Sequence, residues 1–289
     1  MAVIIDKDTR VVVQGITGNQ GSFHTAQMLA YGTQVVAGVN FDKAGQQVHG
    51  VPVVATVHEA VERYGANASI VFVPARFAKD AALEAIDAGV EVLVLIPEHI
   101  PTQDAMEIHA AARKAGVRVI GPNTFGIISP GKCKMGIMPN HIYTPGPVGV
   151  VARSGTLSYE IAYTLTRAGF GQSTVIGMGG DRVIGVNFIE ALELFEQDPE
   201  TKVIVMVGEI GGIQEELAAE YIKAHVTKPV VAFLAGRSAP PGKRMGHAGA
   251  IIEGNRGTYQ SKVQALEAAG VAVASLPWEV ADLVRQKLG

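Results

Sequence analysis

The chain has one cysteine, Cys133, and one tryptophan among 289 residues. A single thiol permits no internal disulfide, so the fold rests on buried apolar surface and fits a reducing compartment. There is no long hydrophobic run. The apolar stretches fall well short of the ~18 residues needed to span a bilayer. The opening MAVIIDKDTR carries charge by Asp6, which matches no secretory signal. There is also no basic block: 24 Lys plus Arg against 27 Asp plus Glu leave a formal charge of −3, which argues against a nucleic-acid phosphate track. Neither His nor Cys clusters at ligand-like spacing, so no metal site is expected. What the chain has in excess is glycine, 34 residues or roughly 12%, against a usual ~7%.

Short β-branched runs recur along the chain at Arg10–Gln14, Gln34–Val39, Ser69–Val73, Glu91–Ile96 and Val117–Ile120. After a gap they resume at Val148–Ala152, Ser173–Ile176, Lys202–Val207, Pro229–Leu234 and Val271–Ala274. Each is nearly continuous in apolar residues, as parallel strands covered on both faces require. Helix-like stretches such as Ala78–Ala88 and Glu215–Ala224 lie between them, which makes the chain α/β. Only Thr124 to Pro147, rich in Gly and Pro, breaks the alternation and reads as a connector or functional loop. Three regions result: a domain over 1–123, a connector over 124–147 and a second domain over 148–289.

Three glycine-bearing turns stand out. Gly15-Ile16-Thr17-Gly18-Asn19-Gln20-Gly21 follows the first strand, where a helix start directs free N–H groups at an anion. Thr17 stands where the dinucleotide fingerprint has its middle glycine, so its side chain opposes the closest approach of a pyrophosphate. A phosphate-bearing cofactor other than NAD, or a purely structural turn, fits better. Arg153-Ser154-Gly155-Thr156 opens a helix from Leu157, with Ser154 or Thr156 able to cap it and Gly155 leaving room for a phosphoryl oxygen. Gly242-Lys243-Arg244-Met245-Gly246-His247-Ala248-Gly249-Ala250 places one imidazole between small residues. Imidazole is a competent nucleophile near neutral pH. Its tautomer needs an acceptor at the second ring nitrogen, and Glu209, ending a buried strand in VMVGEIGG, is the best candidate. Glu209 also reads simply as an acid ahead of a helix N-terminus. His58, His109 and His225 fall on helical stretches and read as solvated side chains.

The segments QGITGNQGSFH, GPNTFGIISPG, ARSGTLSYE, FEQDPET, GEIGG and GKRMGHAGAII together resemble the α subunits of the succinyl-CoA synthetase (succinate–CoA ligase) family, over essentially the whole chain. Relatives include ATP-citrate lyase and the malate– and citrate–CoA ligases. The resemblance implies an N-terminal Rossmann-like CoA-binding domain and a C-terminal flavodoxin-like domain. It implies a β subunit of ATP-grasp fold that carries ATP or GTP with Mg²⁺, in an αβ or (αβ)₂ complex, in the cytoplasm. By the same resemblance His247 is the phosphorylated histidine and Glu209 orients it. Ser154, Gly155 and Thr156 hold the phosphoryl group. Thr17, Gly18, Asn19, Gln20, Lys43, Ile96, Pro97 and Glu98 contact CoA. Tyr159 meets the organic acid, succinate or a similar dicarboxylate, and Thr124 and Phe125 lie near its pocket.

The chain departs from the family pattern at Asn40–Gly45, where Phe41 is free to stack on adenine, and at Thr124-Phe125, where a bulky ring reshapes the acid space. Pro97 stands where Thr is common, and Arg182 adds a cation beside the phosphate region. A malate– or citrate–CoA ligase subunit therefore remains open. A CoA- or nucleotide-binding regulatory module is a further alternative, although binding alone needs neither Glu209 nor His247. A nicotinamide oxidoreductase is disfavoured by Thr17.

Overall fold

A computed structural model describes residues 3–240, 246–252 and 257–289. The chain divides into two compact units, one formed by 4–140 with 183–185, the other by 141–182 with 186–289.

The first unit opens with β1 (Arg10–Gln14), α1 (Asn19–Tyr31) and β2 (Gln34–Val39). β3 (Gln47–Val48), β4 (Val51–Val54) and α2 (Val57–Tyr64) follow, then β5 (Ala68–Val71), α3 (Ala75–Asp87) and β6 (Val92–Leu95). α4 (Thr102–Ala115) and β7 (Arg118–Ile120) close the sheet, whose order is β3-β4-β2-β1-β5-β6-β7. All neighbours pair in parallel except the short β3–β4 ribbon. From β1 the chain builds outward first through β2 and β4, then through β5, β6 and β7. That is the Rossmann-like arrangement, and its direction reverses between β1 and β5, where such sheets bind ligands beyond their strand ends. β5 and β6 are buried at every position, which explains their unbroken apolar sequences. Thr56 caps α2 by accepting the Glu59 N–H, and left-handed glycines end α1, α2 and α4.

The run from Thr124 to Pro147 is not a structureless connector. It forms an antiparallel hairpin of β8 (Gly126–Ser129) and β9 (Cys133–Gly136), both buried throughout. Thr33 Oγ1 accepts the Lys134 N–H at 3.0 Å and donates to the Lys134 carbonyl at 2.8 Å, tying the hairpin to the first unit. The two compact units divide near residue 140, inside the 124–147 segment expected to join them. Lys134 is 1% exposed, donates to Asn140 Oδ1 at 2.6 Å, and has its ammonium pKa pushed down to about 8 by burial.

The second unit runs β10 (Pro145–Ala152), α5 (Gly155–Arg167), β11 (Gln172–Gly177), α6 (Phe188–Gln197) and β12 (Val203–Glu209). It continues through α7 (Gln214–His225), β13 (Val230–Ala235), α8 (Tyr259–Ala268), β14 (Ala272–Ala274) and α9 (Val280–Leu288). These strands lie in the order β14-β13-β12-β10-β11, with parallel pairing. Counted along the chain that is 2-1-3-4-5 read from the other edge, the flavodoxin-like order, with its reversal between β10 and β12. β11 and β12 are buried at every residue. Asn187 and Glu190 form a reciprocal capping box on α6, which fixes where that helix starts.

Candidate active site

The reversal between β10 and β12 places the ends of both strands side by side. The Arg153 N–H donates to the Val207 carbonyl at 3.0 Å, so the residue after β10 lies level with the end of β12. β12 ends on Glu209, whose carboxylate is 8% exposed. His247 Nδ1 lies 2.7 Å from Glu209 Oε2. A carboxylate there accepts the Nδ1 proton and leaves Nε2 with its lone pair for chemistry. The hydrogen bond to Glu209 raises the His247 pKa above its ordinary value of 6.5, against the opposing pull of burial and of Arg153. Asp181 adds a smaller upward effect.

Arg153 completes the cluster. Its side chain is 4% exposed, and its Nε stands 3.3 Å from Glu209 Oε1 as an ion pair without hydrogen-bond alignment. Its Nη2 donates to the Asp181 carbonyl at 3.3 Å. The sequence placed Arg153 only as the lead-in to a turn; nothing in its neighbours announced a buried guanidinium facing Glu209.

Glycine is required where the His247 segment packs. A Cβ at Gly180 would stand 2.7 Å from His247 Cγ and Cδ2. One at Gly249 would stand 2.8 Å from Arg153 Nη2, and one at Gly211 would collide with the Gly249 carbonyl. The glycines thus admit the imidazole, the guanidinium and the loop backbone to one small volume. Beside it opens a cavity of about 380 Å³, lined among the described residues by Arg153, Arg182, Gly212, Ile213, Gln214, Gly249 and Ile251. Arg182 Nε donates to the Ala248 carbonyl at 3.4 Å, so the extra cation noted in the sequence does stand at this loop. Residues Gly242, Lys243, Arg244 and Met245 of the motif lie outside the described residues.

α5 begins at Gly155, two residues before the expected start at Leu157. Ser154 is its N-cap, yet its side chain makes no capping bond. The free first-turn N–H groups and the positive end of the helix dipole then face the strand-end crevice, the arrangement that receives anions. Tyr159, one turn on, has its phenol pushed up to about 12 by burial.

In the first unit, Thr17 and Gly18 end the β1–α1 turn and Asn19 and Gln20 open α1, with Gly18 as N-cap and no acidic residue in the first turn of the helix. Gly15 has a φ of +83°, and a Cβ at Gly21 would collide with the Gly15 carbonyl, so the turn closes only on glycines. Asn40 Nδ2 donates to Thr17 Oγ1 at 2.6 Å. Asn40, the first residue of the Asn40–Gly45 departure, therefore anchors the threonine of the turn. Lys43 sits exposed in a single 3-10 turn after β2, beside Phe41, which is 78% exposed. Ile96, Pro97 and Glu98 follow β6. All three groups project from the same carboxyl edge of the sheet.

Thr124 and Phe125 lead into β8 and are 5% and 4% exposed. Thr124 Oγ1 accepts the Gly126 N–H at 2.9 Å. The Phe125 ring, expected near the acid pocket, is packed into the protein. His109 is likewise buried at 7% exposure, where the helical pattern predicted a solvated side chain, and burial lowers its pKa. His58 and His225 do lie toward solvent. No helix among the described residues is long and apolar enough to cross a membrane.

A Rossmann-like unit, followed by a flavodoxin-like unit with a carboxylate-held histidine at its reversal point, defines a CoA ligase. The CoA binding domain family matches residues 6–99 and the CoA-ligase family residues 151–272. The chain is 60% identical over 288 residues to the ADP-forming succinate–CoA ligase subunit alpha 2 of Archaeoglobus fulgidus, covering 100% of both. It is 58% identical to the corresponding subunit alpha of Methanothermobacter thermautotrophicus, covering 99% of this chain and 97% of that one. Among solved structures, ATP citrate lyase from Methanothrix soehngenii, in complex with citrate and coenzyme A, superposes with a TM-score of 0.88 at 28% identity. That match covers 98% of this chain but 50% of the lyase chain. The chain belongs to the family of ADP-forming succinate–CoA ligase α subunits.

Proposed function

We propose that the chain is the catalytic α subunit of an ADP-forming succinate–CoA ligase, working with an ATP-grasp β subunit that binds MgATP. The observation that carries this reading is the 2.7 Å Glu209–His247 pair, which keeps Nε2 as the nucleophile, beside a helix start that accepts anions.

Three transfers follow. The Nε2 lone pair attacks the γ-phosphorus of ATP and ADP leaves. A succinate carboxylate oxygen then takes the phosphoryl group, freeing His247 and giving an acyl phosphate. The CoA thiolate attacks the acyl carbon and expels inorganic phosphate. Division into three steps avoids a direct condensation of thiol with carboxylate. Glu209 stabilises the imidazole as its charge develops, as a carboxylate does for any catalytic histidine. Ser154, Gly155 and Thr156 supply N–H groups to the phosphoryl oxygens, and Arg153 adds a cation at close range. The α5 end contributes on the order of 0.3–2 kcal/mol to an anion held there.

CoA is assigned to the first unit, its phosphates at Thr17, Gly18, Asn19 and Gln20 with Lys43, and its thiol arm along Ile96, Pro97 and Glu98. Phe41 is offered to the adenine. Tyr159 is assigned to the organic acid. The test is reconstitution with the β subunit and measurement of CoA-dependent phosphate release from ATP over succinate, malate and citrate. Succinate is expected to be the best acid. A faster rate with malate or citrate would correct the substrate, and no activity with any acid would overturn the ligase reading.

A further inference from the structure

Behind the Glu209–His247 pair lies a second charged pair that the mechanism does not use. Lys262 of α8 and Glu215 of α7 are both 0% exposed and form a direct ion pair. A buried pair of this kind is costly to desolvate, and replacing it with apolar residues is often neutral or stabilising. Its presence here therefore asks for a role besides stability, and its remaining contacts supply one.

Glu215 Oε1 accepts the backbone N–H of Glu209 at 3.1 Å. Lys262 Nζ donates to the Gly211 carbonyl at 2.8 Å, while the Gly211 N–H donates to the Gly257 carbonyl, also at 2.8 Å. The N–H and the carbonyl of Gly211 are thus held by Gly257 before α8 and by Lys262 within it. The segment so held carries the carboxylate that grips His247, and Gly211 lies directly under Gly249 and Ile251 of the histidine loop. Gly208 preceding Glu209 is packed equally closely: a Cβ there would stand 2.7 Å from Glu215 Oε1. Glu216 Oε2 lies 3.7 Å from Lys262 and is the remaining charged group at the pair among the described residues.

We infer that Lys262 and Glu215 are positioning residues for the phosphate-accepting histidine: they lock the Glu209–Gly211 backbone so that the Glu209 carboxylate is aimed at His247 Nδ1. The inference rests on the assignment of His247 as the phosphoryl acceptor for its catalytic consequence, and on the geometry alone for its structural one. Neither residue touches the ring. Both act through Glu209.

The test replaces the pair together, as Glu215→Leu with Lys262→Met, so that no buried charge is left unpaired. Two readouts are taken on the full chain: the pH titration of the His247 ring by NMR, and its phosphorylation by MgATP with the β subunit. Among the described residues, the groups facing the ring are Glu209 from β12, Arg153 after β10 and Asp181 after β11. The expected result is a titration midpoint that falls toward the ordinary histidine value and phosphorylation slowed at least tenfold. In a Glu209→Gln background the same pair replacement is expected to change phosphorylation less than twofold, because residues acting through one group are not additive. Equal effects in both backgrounds, or an unchanged ring titration in a folded pair variant, would overturn the inference. Should the pair variant fail to fold, hydrogen exchange of the unmodified chain decides. The Glu209 amide is expected to exchange only on global opening, and exchange as fast as that of the exposed start of α1 would overturn the inference. An unmodified chain that β cannot phosphorylate would instead remove the functional reading, while the titration and the exchange measurement still judge the positioning role.

Discussion

Adding one methyl group at Gly180 tests the site at its tightest point. Gly180 has no left-handed φ, so alanine brings no backbone strain, but its Cβ would stand 2.7 Å from His247 Cγ and Cδ2 and 3.0 Å from Nδ1. Carbon atoms rest at about 3.5–4.0 Å from one another, so the ring has to retreat by roughly 1 Å. The Nδ1–Oε2 distance is 2.7 Å, and a shift of that size away from Glu209 takes it past hydrogen-bond range. A bond to a charged group contributes about 1.5–3 kcal/mol, or roughly 10- to 150-fold at ~1.4 kcal/mol per decade. Misplacing a reacting atom by ~1 Å gives a similar figure, about 100-fold. Gly180→Ala is therefore expected to slow His247 phosphorylation by about 10- to 100-fold in rapid-quench assays with the β subunit. The ring should also titrate nearer 6.5, its ordinary value. A folded Gly180→Ala chain with unchanged phosphorylation and ring titration would refute the packing argument.

Glu209→Gln removes the main cause of the raised His247 pKa, so the midpoint of the phosphorylation–pH profile should fall. The matching stability contribution of a raised histidine pKa is complete below the unfolded value and fades as pH climbs through the folded value. The pH-dependent part of the stability loss in Glu209→Gln should therefore be greatest in acid and vanish above the raised pKa, as measured by urea unfolding. Lys134→Met is expected to stabilise the protein at pH 7. The buried lysine, with its pKa lowered to about 8, costs free energy while charged, and its hydrogen bond to Asn140 offsets part of that cost, leaving a gain of about 1–2 kcal/mol. The gain should shrink as pH rises from about 8 to 10.5, because the unfolded lysine still binds its proton there, which urea titrations at several pH values will show. Asn40→Ala frees Thr17 Oγ1 and should weaken CoA binding by roughly 3- to 10-fold by calorimetry, in keeping with ~1 kcal/mol for a hydrogen bond, while leaving His247 phosphorylation intact.

What the sequence disclosed follows from how far each signal reaches. The ten strands inferred from apolar runs all exist, because a strand buried on both faces writes its burial into consecutive residues. β3 has two residues and β4 contains Pro52, so neither produced a run. β8 and β9 were hidden because Gly126, Lys134 and Gly136 make them read as turn and surface, although each is buried. Glu209 was legible as a carboxylate at the end of an apolar strand among glycines. Arg153 and Lys262 were not. Lys262 lies in YQSKVQALEA, which reads as an ordinary solvated helix face, and its partner Glu215 is 47 residues away. Burial of a charge is decided by what the fold brings opposite it, and no local pattern reports that.

The most direct test of the account is the site of phosphorylation itself. After incubation with the β subunit and MgATP, the chain should carry one acid-labile phosphoryl group on His247 Nε2, discharged by succinate with CoA and absent from His247→Asn. Stoichiometric acid-labile phosphate retained by His247→Asn, or none on a chain that still forms succinyl-CoA, would contradict it.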